Sequence, residues 1–326
     1  MNQISALSQE RTPALNLAPN APKLSQEQVQ YYRDNGYVKA SGILSDDEVR
    51  TLVRVTDEFV EKSRSVTASD KVFDVEDTHT AENPRLRRLK RPEDQHPAYA
   101  ALFQHPGLLN VLRQLLGPDV RHKGLKLNLK PPSGGEPVEW HQDWAFYPHT
   151  NDDLLVLAIM LDDVTEENGP LMVVPGSHKG PVLDHHQEGW FVGAVANPDE
   201  ANGFITKAVP LHGKVGDITV HHARTLHGSA SNLSKHWRRL LFVTAMAADA
   251  WPLNDSPTDM AAYDARIIAG KPTIMPRLAN VPARLPLPRR LKSGESIFEK
   301  QRDVRFTPFE RVTERRPGRG VEMMDA

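Results

Sequence analysis

No cysteine occurs in the 326 residues. Its absence excludes disulfides, thiolate zinc sites, iron–sulfur clusters and a cysteine nucleophile. Any metal site must therefore use His, Asp, Glu or neutral oxygens, and the 14 histidines supply material for one. Long apolar runs are also missing. The longest, Leu154 to Leu161, is strand-length and well short of the ~18 residues that span a bilayer. A charge excess of one sign is lacking too, with 40 Lys and Arg against 42 Asp and Glu. Such a balance gives no field to gather nucleic acid or an acidic membrane. The N-terminus has neither the charged start and apolar stretch of a secretory signal nor the arginines of a mitochondrial leader, and Met-Asp-Ala is not a peroxisomal address. These absences lead to the expectation of a cytoplasmic protein without nucleic-acid or membrane partners. They leave oligomeric state open.

Residues 1–23 mix Pro, Asn, Ser and Gln without a period and read as a flexible leader. Ser25 with Gln28, and Ser45 with Glu48, are capping-box patterns that open two helices. The first should stop at Asn35-Gly36, followed by a short strand over Tyr37 to Ala40. The second carries an apolar stripe of Val49, Leu52, Val53, Phe59 and Val60 to about Ser63. A third helix is expected from Pro106 to Leu116, ended by Gly117-Pro118. From Val120 to Met246 short β-type runs alternate with Gly/Pro turns, among them Lys126–Lys130, Leu154–Leu161, Leu171–Val174, Ile218–His221 and Leu240–Thr244. Helices first and strands after predict an α+β chain, mainly β, with helices against one face of a sandwich or barrel. The division expected is a leader, one domain over 24–250, and a Pro/Arg-rich extension over 251–326 that packs on the core or forms a lid or oligomer contact. No internal repeat is present.

Three features of the β region fit one chemistry. His141-Gln142-Asp143 places an imidazole and a carboxylate two residues apart, which in a strand puts both on one face. His227, in Thr225-Leu226-His227-Gly228-Ser229, supplies a second imidazole. Two His and one carboxylate form the facial triad of non-haem Fe(II) oxygenases and leave positions open for cosubstrate and O2, whereas a structural zinc site fills them. Arg238 is the third feature. The turn Ser231–Lys235 suits a hairpin that returns Arg238 alongside the strand of His227. A guanidinium there clamps a remote carboxylate by two parallel hydrogen bonds, as the dicarboxylate 2-oxoglutarate requires.

The order of these blocks resembles the phytanoyl-CoA dioxygenase family of 2-oxoglutarate oxygenases. Matching blocks are Trp140-His141-Gln142-Asp143-Trp144, Asn168-Gly169-Pro170-Leu171, Pro175-Gly176-Ser177-His178-Lys179 and His227-Gly228-Ser229 with Arg238. Asn35-Gly36-Tyr37-Val38 before the Leu44-Ser45 helix start matches the family's opening, so the resemblance covers about 24–246. It implies a double-stranded β-helix, a cupin-like jelly roll buttressed by N-terminal helices. It also implies that Ser229 and Arg238 hold the 2-oxoglutarate carboxylate, with Lys126, Asn128 and Lys90 as further cosubstrate contacts. Ile159 stands where the family often has a Trp that packs on the cosubstrate. The activity implied is hydroxylation of an unactivated C–H of a small organic substrate, with release of succinate and CO2.

Other assignments are weaker. Trp144 and Phe146, directly after the H-x-D, are candidates for the substrate pocket. Val182–Phe204 lacks a period, holds Trp190 and Phe191 among polar residues, and reads as a lid over the substrate, with Trp190 the candidate contact. His221 and His222 read as strand residues, His222 standing next to the ligands. His178 reads as structural, holding the loop after a strand, and His185 and His186 fall in the stretch read as a lid, with no role of their own assigned. A halogenase has a small residue at the position of Asp143 and is set aside. Desaturation or cyclisation, or a non-catalytic cupin-like binding protein, are the alternatives.

Overall fold

The computed structural model describes residues 17–289, 296–302 and 304–309. Its longer helices are α1 (Gln26–Asn35), α2 (Asp46–Ser63), α3 (Pro106–Leu116) and α4 (Pro198–Ile205). Its strands are β1 (Tyr37–Ala40), β2 (Phe73–Val75), β3 (Leu86–Leu89), β4 (Val120–Lys130), β5 (Val138–His141), β6 (Leu154–Met160) and β7 (Met172–Val173). They continue with β8 (His186–Gln187), β9 (Trp190–Phe191), β10 (Val209–Pro210), β11 (Ile218–His222), β12 (His227–Ser229), β13 (Arg238–Ala247) and β14 (Ile267–Ala269).

Both capping boxes form. Ser25 and Ser45 each accept from the backbone N–H three residues on, and Gln28 and Glu48 reach back to the cap. Gly36 ends α1 at φ 78°, a left-handed conformation that suits glycine. A Cβ there would also lie 2.4 Å from Nδ1 of His178. Of the segment read as a leader, residues 17–23 are described, and they are tied to α3. Ala18 N–H donates to Asn110 Oδ1 at 2.8 Å and Asn110 Nδ2 donates to the Ala18 carbonyl at 3.0 Å. Residues 1–16 of that segment lie outside the described residues.

Alternation along the strands sets the layers. An eight-stranded sheet runs β1-β11-β6-β13-β4-β3-β2, with β14 beside β4. Leu125, Leu127 and Leu129 of β4, Leu155, Leu157 and Ile159 of β6, and Leu241 and Val243 of β13 turn one way and join the buried faces of α1, α2 and α3 in one core. The alternate residues, including Lys126, Asn128, Val156, Leu240 and Phe242, turn the other way and face a cavity. Opposite lies a four-stranded sheet, β10-β7-β12-β5. The two sheets make the jelly roll; α1, α2 and α3 cover the outside of the larger one, while Ala201, Phe204 and Ile205 of α4 cluster with Trp140 and Met172 of the smaller. This explains why every residue of β6 is buried: both of its faces are covered.

Beyond β13 the chain stays on the β unit. Leu253 N–H donates to the Pro148 carbonyl, Ala279 N–H to the Thr150 carbonyl and Phe191 N–H to the Pro288 carbonyl. A last helical turn, Ile297–Lys300, is capped by Ser296 and Glu299. Gln301 then accepts from Glu139 N–H at 2.9 Å and donates to the Gly193 carbonyl at 2.7 Å. Phe309 stacks on Trp140 with ring centroids 5.3 Å apart. Among the described residues no helix is long and apolar enough to cross a membrane.

Candidate metal centre and active site

His141 and His227 are direct cross-strand partners in the smaller sheet, with ring centroids 4.1 Å apart. Asp143 does not lie on the strand. β5 ends at His141, Gln142 remains extended, and Asp143 opens a 3-10 turn. Because Gln142 keeps β geometry, the carboxylate still faces the same side as His141. One ligand atom from each of the three residues lies within 4.8 Å of the others, and all three side chains are buried.

The ring orientations are fixed from behind. Nδ1 of His141 donates to the Glu139 carbonyl at 2.8 Å, and Nδ1 of His227 to the Thr225 carbonyl at 2.9 Å. A carbonyl only accepts, so both Nδ1 atoms carry the proton and both Nε2 atoms offer a lone pair. Each Nε2 lies 4.0 Å from an Asp143 oxygen, too far to hydrogen-bond. Three acceptors thus converge without satisfying one another, a geometry that fits a bound cation.

Protonation favours the same outcome. Burial pushes the pKa of His141 down and that of His227 well down, against the pull of Asp143. Burial alone would raise the Asp143 carboxyl, but His221, Lys126, His227 and His141 outweigh it and hold the group well below its ordinary value. Neutral imidazoles and an ionised carboxylate are the forms that bind metal.

Arg238 stands on the other sheet. Ser231–Lys235 does not form the expected hairpin beside β12. It carries the chain across to the larger sheet, where Arg238 pairs with Lys130 of β4. Turn composition was a correct signal for a reversal but not for which sheet the next strand joins. The crossing is held by Asn232, whose Nδ2 donates to the carbonyls of Lys130, Pro131 and His236. Arg238 is 3% exposed, and its Nε donates to the Gly169 carbonyl at 3.1 Å. No other hydrogen bond to its guanidinium occurs among the described residues, so the two terminal nitrogens face the cavity uncommitted. Burial lowers its pKa to about 10, which leaves it charged at neutral pH. Gly169 sits at φ 71°, and a Cβ there would meet the Ala230 carbonyl at 2.4 Å. Ser229 lines the same end. Lys130 donates to the carbonyls of Ser229 and Ala230.

These groups surround a cavity of about 280 Å³. His141, Asp143, His227, Arg238, Ser229, Lys126, Asn128 and Phe146 all line it. Three expectations fail here, those for Trp144, Trp190 and Lys90. Trp144 is fully buried, with Nε1 donating to the Pro282 carbonyl at 2.8 Å, and is core rather than pocket because the turn at Asp143 rotates it inward. Trp190 is 40% exposed and points to solvent. Its neighbour Phe191 is the buried one and packs edge-on against Phe146, centroids 5.1 Å apart. Lys90 donates to the Asp70 carbonyl outside the cavity, and Arg88, paired with Asn128, is the β3 residue that lines it. Ile159 faces the helices, so no cosubstrate packs on that position.

Of the two adjacent histidines, His221 and not the expected His222 stands at the site. His221 lies 3.5 Å from Asp143 Oδ2, with its ring 4.4 Å from that of His227. His222 turns to the outer side, near Asp152 and the His178 ring. Alternation in β11 was the available signal, but its phase depends on pairing with β6. Ile297 and Phe298 also line the cavity, from a segment without periodicity. Gln142 binds the loops around the site together. Its side chain accepts from Leu183 N–H and donates to the carbonyls of Pro181 and Arg224.

A profile of the phytanoyl-CoA dioxygenase family matches residues 32–240. The chain is 39% identical over 280 residues to a probable alpha-ketoglutarate-dependent hypophosphite dioxygenase of Stutzerimonas stutzeri, covering 85% of this chain and 96% of the relative. It is 32% identical over 247 residues to the L-proline trans-4-hydroxylase of Streptomyces griseoviridis, covering 70% and 88%. Among solved structures, EctD from S. alaskensis with bound Fe aligns with a TM-score of 0.62 at 23% identity, over 82% of this chain and 91% of that one, a likeness of fold.

Proposed function

Since the chain belongs to the phytanoyl-CoA dioxygenase family and is a 2-oxoglutarate-dependent non-haem iron dioxygenase, we propose that His141, Asp143 and His227 hold one Fe(II), that Arg238 and Ser229 hold the remote carboxylate of 2-oxoglutarate, and that a small substrate is hydroxylated. Asn128, paired with Leu240 between the Arg238 row and Lys126, flanks the path from Arg238 to the metal ligands, and Lys126 lies at the far end of that path, by Asp143. The reading is carried by one observation: three ligand atoms that do not hydrogen-bond one another converge at one end of a cavity whose other end presents the free side of a buried guanidinium. One oxygen atom of O2 enters succinate, the other enters the product, and CO2 leaves. Iron, when bound, supplies the activation of O2 at the positions that a facial triad leaves open.

The protein's own part is positioning. The carbonyls of Glu139 and Thr225 hold the imidazoles in the binding tautomer. Phe146, Val156, Leu240, Phe242, Ile297 and Phe298 give the cavity apolar walls that keep water from the reacting atoms. A cytoplasmic setting fits this reading, since a reducing compartment keeps iron ferrous and the chain has no cysteine to oxidise. A second substrate class is favoured by the relative at 39% identity, whose name specifies hypophosphite, an inorganic anion. In that case a P–H bond takes the place of a C–H bond.

The test is anaerobic loading with Fe(II), then O2 and 2-oxoglutarate, with succinate measured. Iron-dependent succinate at one metal per chain is expected; succinate formation indifferent to iron or to 2-oxoglutarate would sink the reading. The exposed Trp190 carries a separate expectation. Trp190→Ala should leave the ratio of succinate to hydroxylated product near that of the unmodified enzyme, because its ring is outside the cavity. Excess succinate in that variant would restore Trp190 as a residue closing over the substrate.

A further inference from the structure

The cavity holds more positive charge than iron and 2-oxoglutarate use. Asp143 is the one carboxylate among its described lining residues, against Arg88, Lys123, Lys126, Lys130 and Arg238. A bound Fe(II), the two carboxylates of 2-oxoglutarate, Asp143 and Arg238 cancel one another. Lys130 is committed to the Ser229 and Ala230 carbonyls. Arg88 has an interaction of its own; Lys126 and Lys123 are left over, and neither makes a hydrogen bond or ion pair among the described residues. Both ammonium groups stand over the Tyr147 ring, 5.7 Å and 5.2 Å from its centroid. Lys126 is half-buried and Lys123 is exposed at the mouth.

The position of this pair separates it from the cosubstrate's anchor. Arg238 pairs with Lys130 and Phe242 with Lys126. Four residues of strand, about 13 Å, therefore lie between the backbone of Lys126 and the row of Arg238. Lys126 and Lys123 are at the end of the cavity away from Arg238. Tyr147, 7% exposed, places its hydroxyl beside Asp143 with no well-formed hydrogen bond. Asp143 is the acceptor at hand but its oxygens also serve the proposed metal site, so the hydroxyl can donate to a ligand placed beside it. At about 280 Å³ the cavity is at the small end of the ~300–1,000 Å³ usual for ligand sites, and it must admit the cosubstrate as well.

We infer that Lys126, Lys123 and the Tyr147 hydroxyl form the substrate subsite, and that it takes a small anion, either a phosphorus oxyanion or a carboxylate. The inference rests on the dioxygenase reading and names the substrate class for it. Asp143, the one carboxylate near Lys126, is a ligand in the proposed metal site, so an uncharged substrate would leave the half-buried Lys126 ammonium without an anion of its own, an arrangement that burial penalises. An anion neutralises both ammonium groups and accepts from Tyr147.

Isothermal titration calorimetry under nitrogen tests this on the full-length protein loaded with Fe(II) and 2-oxoglutarate. The titrants are hypophosphite, methylphosphonate, butyrate and, as an uncharged control, 1-butanol. Binding of one anion per chain, weakened by salt, is expected, and the arm that binds assigns phosphorus oxyanion or carboxylate. Lys126→Gln should weaken it by about tenfold or more. Lys123→Gln, at an exposed position that does not threaten folding, should weaken it by about fivefold, and Tyr147→Phe by about threefold to tenfold. The inference is overturned if no anion binds, if 1-butanol binds as well as the anions, or if both lysine variants keep the unmodified affinity. A protein that forms succinate yet binds none of the anions defeats the subsite alone. One that takes up no Fe(II) and forms no succinate defeats the dioxygenase reading with it.

Discussion

Asp143→Ala should purify as a folded protein that binds Fe(II) at least about 100-fold more weakly and forms succinate only at background. Residues that merely orient a metal ligand already contribute 10–100-fold to affinity, and a direct ligand contributes no less. The case is stronger here because Asp143 is the sole negative charge among the three converging groups. Without it a dication faces two neutral imidazoles, with Lys126 nearby. Thermal unfolding supplies a readout independent of turnover. A metal at 100 times its dissociation constant stabilises the native state by about 2.7 kcal/mol, roughly 4 °C for a chain of this size. Fe(II) should give that shift in the unmodified protein and none in Asp143→Ala. A variant that keeps both the iron-induced shift and succinate formation would show that the carboxylate ligand lies elsewhere.

Arg238 is the second position where a large effect is expected, and it should appear in a different constant. Two charge-assisted hydrogen bonds at about 1.5–3 kcal/mol each anchor the cosubstrate, so Arg238→Ala should raise the KM for 2-oxoglutarate by about 10²- to 10⁴-fold. Arg238→Lys keeps the charge but loses the fork, and a rise of about 10- to 100-fold is expected. Iron content should hold near one per chain in both, because the ligands sit on β5, on the turn that follows it and on β12 of the opposite sheet. Steady-state kinetics with 2-oxoglutarate varied, beside metal analysis, decides the matter. An unchanged KM in Arg238→Ala removes Arg238 from the site, and a parallel loss of iron turns it into a structural residue.

What could be read from the sequence and what could not divide along one physical line. Local chemistry was legible. The two capping boxes, the Gly36 stop and the alternating strands follow from side chains a few residues apart. The spacing of His141 and Asp143 survived even though Asp143 left the strand, because Gln142 kept its extended backbone. Phase was not legible. His221 against His222, Phe191 against Trp190 and Arg88 against Lys90 are each a choice of face, and a strand's face is fixed only by its neighbour's register. Non-local closure was also hidden. The crossing at Ser231–Lys235 depends on Asn232 reaching three carbonyls, which no turn propensity encodes. The cavity wall at Ile297 and Phe298 lies beyond the region that matches the family profile, so resemblance is silent about it.

That wall also sets an order in time. A chain emerges from the ribosome N-terminus first, at about 5–20 residues per second. His141, Asp143, His227 and Arg238 are all made before Ile297, Phe298, Gln301 and Phe309. For several seconds the nascent jelly roll therefore carries its full set of polar groups while one side of the pocket is still missing, and the residues that enclose the site are among the last to reach it.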